Sequence, residues 1–144
     1  MIDAKARVPA DKVSPFVAAR LDHALNQLYR AMKCRRDGDR AASQLEAAEG
    51  VTPFSDALFA VHDGRLRPYY KYLTWELTEH PLAQSPLAPA PLLDLLLAVL
   101  GPDGAGALQR LMVETKPLFC AHGHAPAYDG WGEALGWMLS YRAP

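Results

Sequence analysis

A chain of 144 residues, half of them apolar and 22% charged, is long enough for one hydrophobic core and too apolar to stay disordered. Fifteen basic residues against sixteen acidic ones leave a formal charge of -1, so bulk charge calls for neither a nucleic acid nor a membrane surface, and recognition by charge has to come from local clusters. The two cysteines, Cys34 and Cys120, are too few for a disulfide framework and point to a reducing, cytoplasmic setting.

Residues 1–13 carry no apolar core, so they read as an N-terminal extension and not as a secretory signal. The first helix is expected from Ser14 to Arg36, with Ser14 as N-cap and Pro15 at the first helical position. Val17, Leu21, Leu25, Leu28 and Met32 form one apolar stripe, and Gly38 in RRDGD supplies the stop. Asp39 caps a second helix over 40–48, and Thr52-Pro53 repeats the cap-then-proline signal for a third that ends near Val61. HDGR breaks the chain, and Pro68 opens a fourth helix from Tyr69 to about Glu79, closed by His80-Pro81.

PLAQSPLAPAP, residues 81–91, reads as a proline-stiffened connector inside the domain. The run LLDLLLAVL behind it is apolar on nearly every side, which predicts a central buried helix; Asp94 and its short length rule out a bilayer span. GPDGAG is a turn, a sixth helix covers about 105–120, AHGHAPAYDG is a loop and WGEALGWMLSYR is the last helix. Alternating strand patterns are scarce, so the expected fold is an all-α, single-domain bundle of six or seven helices over 1–144.

One stretch asks for an explanation. GRLRPYYKYLTWEL, from Gly64 to Leu77, crowds two arginines, a lysine, three tyrosines and a tryptophan together. On a helix, Arg67, Lys71 and Trp75 share a face, with Tyr69, Tyr72 and Glu76 beside it. Arg65 and Arg67 would add charge to a helix N-terminus that is already positive, an arrangement suited to a phosphate or carboxylate. The alternative is that these cations pair with acids on neighbouring helices while the rings pack inward. The first helix carries a second set, Asn26, Tyr29, Arg30, Lys33 and Arg36, opposite its apolar stripe; such a face holds a polyanion or is an ordinary wet surface. CAHGH puts Cys120, His122 and His124 near one another, but zinc needs a fourth ligand and Gly123 suits a helix exit, so no metal is expected. Neither a nucleophile motif nor a phosphate-binding glycine loop occurs.

The succession NQLYRAMKCRRDGD (26–39), LFAVHDGRLRPYYKYLTWEL (58–77) and GHAPAYDGWGEAL (123–135) resembles the helical C-terminal half of bacterial nucleotidyltransferase-like proteins, in the superfamily of the aminoglycoside nucleotidyltransferases. The middle motif is the most specific of the three. The resemblance implies a helical half that closes a cleft and contacts substrate and nucleotide, while a separate α/β domain holds ATP and Mg. This chain has no Gly-Ser followed by the paired aspartates of that domain, so it is not expected to bind ATP and Mg or transfer a nucleotide alone. Carried over, the resemblance makes Asn26, Tyr29, Lys33, Arg65, Arg67, Lys71, Tyr72 and Trp75 the candidates for substrate or anion contact. Glu76 becomes a weak candidate general base, more naturally an anchor for Arg67 or Lys71. Asp129 and Trp131 either line the same cleft or cap the last helix.

Two functions follow. In the first, the chain is the nucleotide- or small-molecule-binding domain of a nucleotidyltransferase-like protein, with a catalytic partner or a homodimer. In the second, it is a stand-alone protein-interaction module, such as one half of a toxin–antitoxin-like pair, whose Arg67 and Lys71 cluster is consumed by internal salt bridges. Near-zero net charge and the lack of an extended basic stripe argue against RNA.

Overall fold

The structure, a computed structural model, describes residues 6–143, so the first part of the expected N-terminal extension lies outside the described residues. The fold is all-α, with the helices α1 (Val13–Arg36), α2 (Arg40–Glu49), α3 (Val51–Ala60), α4 (Leu73–Glu79), α5 (Pro89–Ala98), α6 (Gly104–Ala121), α7 (Ala125–Asp129) and α8 (Glu133–Ser140). Among the described residues the only β-pairing is an isolated antiparallel bridge between Arg7 and Arg65. No helix of the described residues is long and apolar enough to cross a membrane.

α1 is the axis. Val17, Leu21, Leu25, Leu28 and Met32 are fully buried, as the stripe requires, and Ala24 and Ala31 widen the buried face. It packs most extensively on α2 and α3 and also meets α6, α7 and α8. Gly38 leaves the helix with φ 81°, and the Asp39 carboxylate accepts from the Ala42 N–H at 3.0 Å, so the stop and the cap fall where the sequence puts them. The other two caps do not form. α1 starts one residue before Ser14, without a side-chain cap, and Gly50 precedes α3 while the Thr52 hydroxyl bonds Tyr70 Oη at 2.8 Å. Direct passage from α2 through Gly50 leaves Thr52 inside the helix, where a capping role is lost.

The expected central helix is not central. α5 buries Leu92 and Leu96 on one side, while Leu97 is 59% exposed. It rests as an outer helix on α4 and α6, because the interior is already filled by α1 and the phenylalanines Phe54, Phe59 and Phe119. The expected loop over 121–130 contains α7, started by Pro126 near its N-terminus and carrying the buried Tyr128 into the core. α8 is fastened by Gln109 of α6, whose amide donates to the carbonyls of Met138 at 3.0 Å and Tyr141 at 3.1 Å.

His62 ties the proline connector to the end of α3. His62 Nδ1–H donates to the Leu58 carbonyl at 2.7 Å and Nε2 accepts from the Gln84 N–H at 3.2 Å, which defines a neutral tautomer. Burial, helped by the Arg65 charge, lowers the His62 pKa, and burial also lowers that of His124. Both folded values lie below the ordinary 6.5, so below that pH the unfolded chain binds protons that the folded chain refuses. Their contribution to stability is intact above pH 6.5 and is lost as the pH falls from there through the lower folded values. Urea titrations between about pH 7 and pH 5 are therefore expected to show falling stability, with a shallower fall in His62→Gln. A flat profile over that window would contradict this arrangement.

Candidate functional site

After α3 the chain reverses through two left-handed residues, Asp63 (φ 61°) and Gly64 (φ 75°). Glycine is required at the second, since a Cβ there would lie 2.8 Å from the Val8 carbonyl oxygen. The Val8 N–H donates to the Gly64 carbonyl at 2.9 Å, and Arg7 Nη1 donates to the Asp63 carbonyl at 3.0 Å. The segment that follows is not the expected helix from Tyr69. Residues 66–69 carry no helix, a 3-10 turn covers Tyr70–Tyr72 and α4 begins at Leu73. Pro68 lacks an N–H and biases Arg67 away from helical backbone, so Arg67, Lys71 and Trp75 do not share a helix face.

The two arginines point inward. Arg65 Nη2 donates to Glu76 Oε2 at 3.1 Å and to the His80 carbonyl at 2.8 Å, and its guanidinium lies 5.3 Å from the centre of the Phe59 ring. Glu76 is 6% exposed, so it is the anchor of Arg65, not of Arg67 or Lys71. Arg67 Nε donates to Asp56 Oδ1 at 2.8 Å, with the Tyr70 ring 4.3 Å away, and Arg20 meets the same aspartate at 3.4 Å. These cations fasten the segment to α3 and α4.

The rings point outward. Leu66, Tyr69, Tyr70, Tyr72 and Trp75 are 44–73% exposed, and the Tyr69 and Tyr72 rings lie 6.3 Å apart. Trp75 stands edge-on to His80 at 5.5 Å, and the exposed Lys71 reaches within 5.8 Å of the Tyr72 ring. Exposed apolar side chains are thus concentrated on a segment whose two arginines are turned inward.

A second site lies on α1. Asn26, Tyr29 and Lys33 line an open groove of about 570 Å³ together with Arg30, Arg36 and Glu46. None of residues 65–75 lines it, so the eight sequence-predicted site residues fall into two separate groups. Arg30 is held by Glu46 at 3.8 Å and Arg36 by Asp37 at 3.1 Å. The Lys33 ammonium instead sits 4.4 Å above the Tyr29 ring. Trp131 and Trp137 pack on Tyr29 at 5.3 and 6.1 Å, and Tyr141 follows Trp137 at 5.2 Å. Trp137 and Tyr141 are not among the sequence-predicted site residues, although their i, i+4 spacing close behind Trp131 is a usable signal. Cys34 also opens on this groove; burial, with Asp39 and Glu46 nearby, pushes its thiol up, against a nucleophilic role.

The remaining candidates disperse. His122 Nε2 is bonded to Gln84 Oε1 at 2.6 Å, whereas the buried His124 opens toward the first turns of α1. Among the described residues no group of three or more histidine, cysteine or acidic side chains is placed to hold a metal ion. Asp129 is exposed at the end of α7, and Trp131 is half-buried against Tyr29. Comparison with known proteins finds no matching family model, no matching characterised protein and no matching solved structure.

Proposed function

We propose that this helical domain is a protein-interaction module that docks through the outward rings of residues 66–72. The observation that carries this reading is the division within one segment. Arg65 and Arg67 are turned inward onto Glu76 and Asp56, while Tyr69 is 73% and Tyr72 is 52% exposed. Rings on a backbone already tied down lose little freedom on binding, and tyrosine is a favoured interface anchor. Lys71 among them suits a partner with apolar pockets and an acidic rim. The two free cysteines fit a reducing compartment, and the reading places the domain in the cytoplasm.

A second reading keeps the nucleotidyltransferase-like resemblance and moves its anion contact to α1. It is favoured by Lys33, whose ammonium lies over Tyr29 in a groove where the other two cations have carboxylate partners. The catalytic carboxylates would then belong to a partner domain.

One set of measurements separates the two. A photo-crosslinking amino acid in place of Tyr69, installed in cells, is expected to give a discrete adduct that disappears with Tyr72→Ser. The same probe in place of the exposed Ala19 on α1 should give none. An adduct of twice the chain's mass identifies a homodimer. Equal labelling from both positions, or none from Tyr69, removes the first reading. Under the second, titration with tripolyphosphate in the absence of magnesium is expected to shift the backbone amides around Lys33 saturably, with affinity about tenfold weaker in Lys33→Ala; unmoved signals in the wild-type chain remove it.

A further inference from the structure

Ser14, Ala18 and Asp22 follow at four-residue steps and present one face of the first half of α1. Across from them run Gly123, His124, Pro126, Ala127, Gly130 and Trp131, and the two walls flank an open groove of about 640 Å³, within the volume range of small-molecule sites. The opening exists because the facing positions are small. Beyond Gly123, which has φ 89°, there is free space where a Cβ would stand.

Three features give the groove a chemistry. Asp22 is exposed and is the one formally charged side chain in the lining, which includes no lysine or arginine. Trp131 forms an aromatic wall, fixed from behind by Tyr29 at 5.3 Å. His124 is 6% exposed and lines the groove. Its place is set by the backbone, where its N–H donates to the Phe119 carbonyl at 3.0 Å. A neutral imidazole lining a groove offers a ligand one hydrogen-bond acceptor.

We infer that this groove binds a primary ammonium group carried on a flat or aliphatic body, with Asp22 as counter-ion, Trp131 as the packing face and His124 as hydrogen-bond acceptor. Carboxylate and indole both favour a cation, and the absence of a competing cation in the lining leaves the charge of Asp22 open to the ligand. The inference is independent of the docking face at residues 66–72.

The test is an NMR titration of the full chain with phenethylamine, reading the Trp131 indole N–H and the His124 ring protons. Both signals are expected to move saturably, and Asp22→Asn should weaken binding about tenfold. Asp22 is exposed, so the variant should fold. The uncharged 2-phenylethanol is the control. Equal shifts from the alcohol, unchanged affinity in Asp22→Asn, or still signals with the amine would each overturn the assignment. A parallel titration with Nα-acetyl-lysine amide separates the sources. Comparable binding identifies a protein lysine as the natural group, and binding by phenethylamine alone identifies a small aromatic amine.

Discussion

Replacing Glu76 with alanine is expected to lower stability by about 3 kcal/mol, the scale for removing one partner of a buried ion pair. The pair is well shielded, with side-chain exposures of 18% for Arg65 and 9% for Glu76. Without Glu76 the guanidinium keeps the His80 and Pro81 carbonyls, at 2.8 and 3.4 Å, but no matched charge. Arg67→Ala should cost less, because Arg20 still neutralises Asp56 from 3.4 Å. Arg65→Ala combined with Glu76→Leu should recover part of the loss, since an apolar replacement leaves no unpaired charge. Urea unfolding of the three variants decides it. A loss under about 1 kcal/mol in Glu76→Ala would mean that the pair behaves as a solvated one.

Gly104→Ala is expected to be as damaging, also by about 3 kcal/mol, at the upper end for overpacking. A Cβ on Gly104 would lie 2.1 Å from the Val99 carbonyl oxygen, and Val99 is itself fully buried. The obstacle is backbone, not the far end of a flexible side chain. To admit one methyl, the turn between α5 and α6 must move and drag Val99 from the core. Gly136 is the opposite case, exposed inside α8 with nothing within 4 Å of its Cβ position. Gly136→Ala should stabilise by about 0.5–1 kcal/mol through helix propensity and reduced freedom of the unfolded chain. Thermal melts of the two variants should therefore move in opposite directions; a Gly104→Ala protein melting with the wild type would refute the close approach.

The parts of this fold that sequence made legible are the ones governed by neighbours a few residues away. The α1 stripe, the Asp39 cap and the left-handed Gly38 are all decided within a turn of helix. The position of α5 was not legible, because nothing local says whether an apolar helix faces inward on all sides or merely supplies one wall. What decides it is the volume already taken by α1 and three phenylalanines from other parts of the chain. The break before α4 had a local sign in Pro68, but the spacing of Arg67, Lys71 and Trp75 suggested a continuous helix across it. For the candidate sites the same division holds. Lys33 over Tyr29 is an i, i+4 contact and could be anticipated. Arg65 meeting Glu76, and His124 facing Asp22 across a groove, join residues through a reversal or a long crossing of the chain. In CAHGH the two histidines read as a pair, yet adjacent backbone directions send one to Gln84 and the other toward α1.

The alternation of inward cations and outward rings also sets how the segment from Arg65 to Glu76 can change over evolutionary time. Arg65, Arg67, Asp56 and Glu76 answer to folding, and loss of any one is felt whatever the protein meets. Tyr69 and Tyr72 contribute little to the interior and can drift or be reselected without disturbing it. Under the docking role proposed for the rings, two selective pressures would act on interleaved positions with little interference, and new specificities could be explored on an unchanged frame.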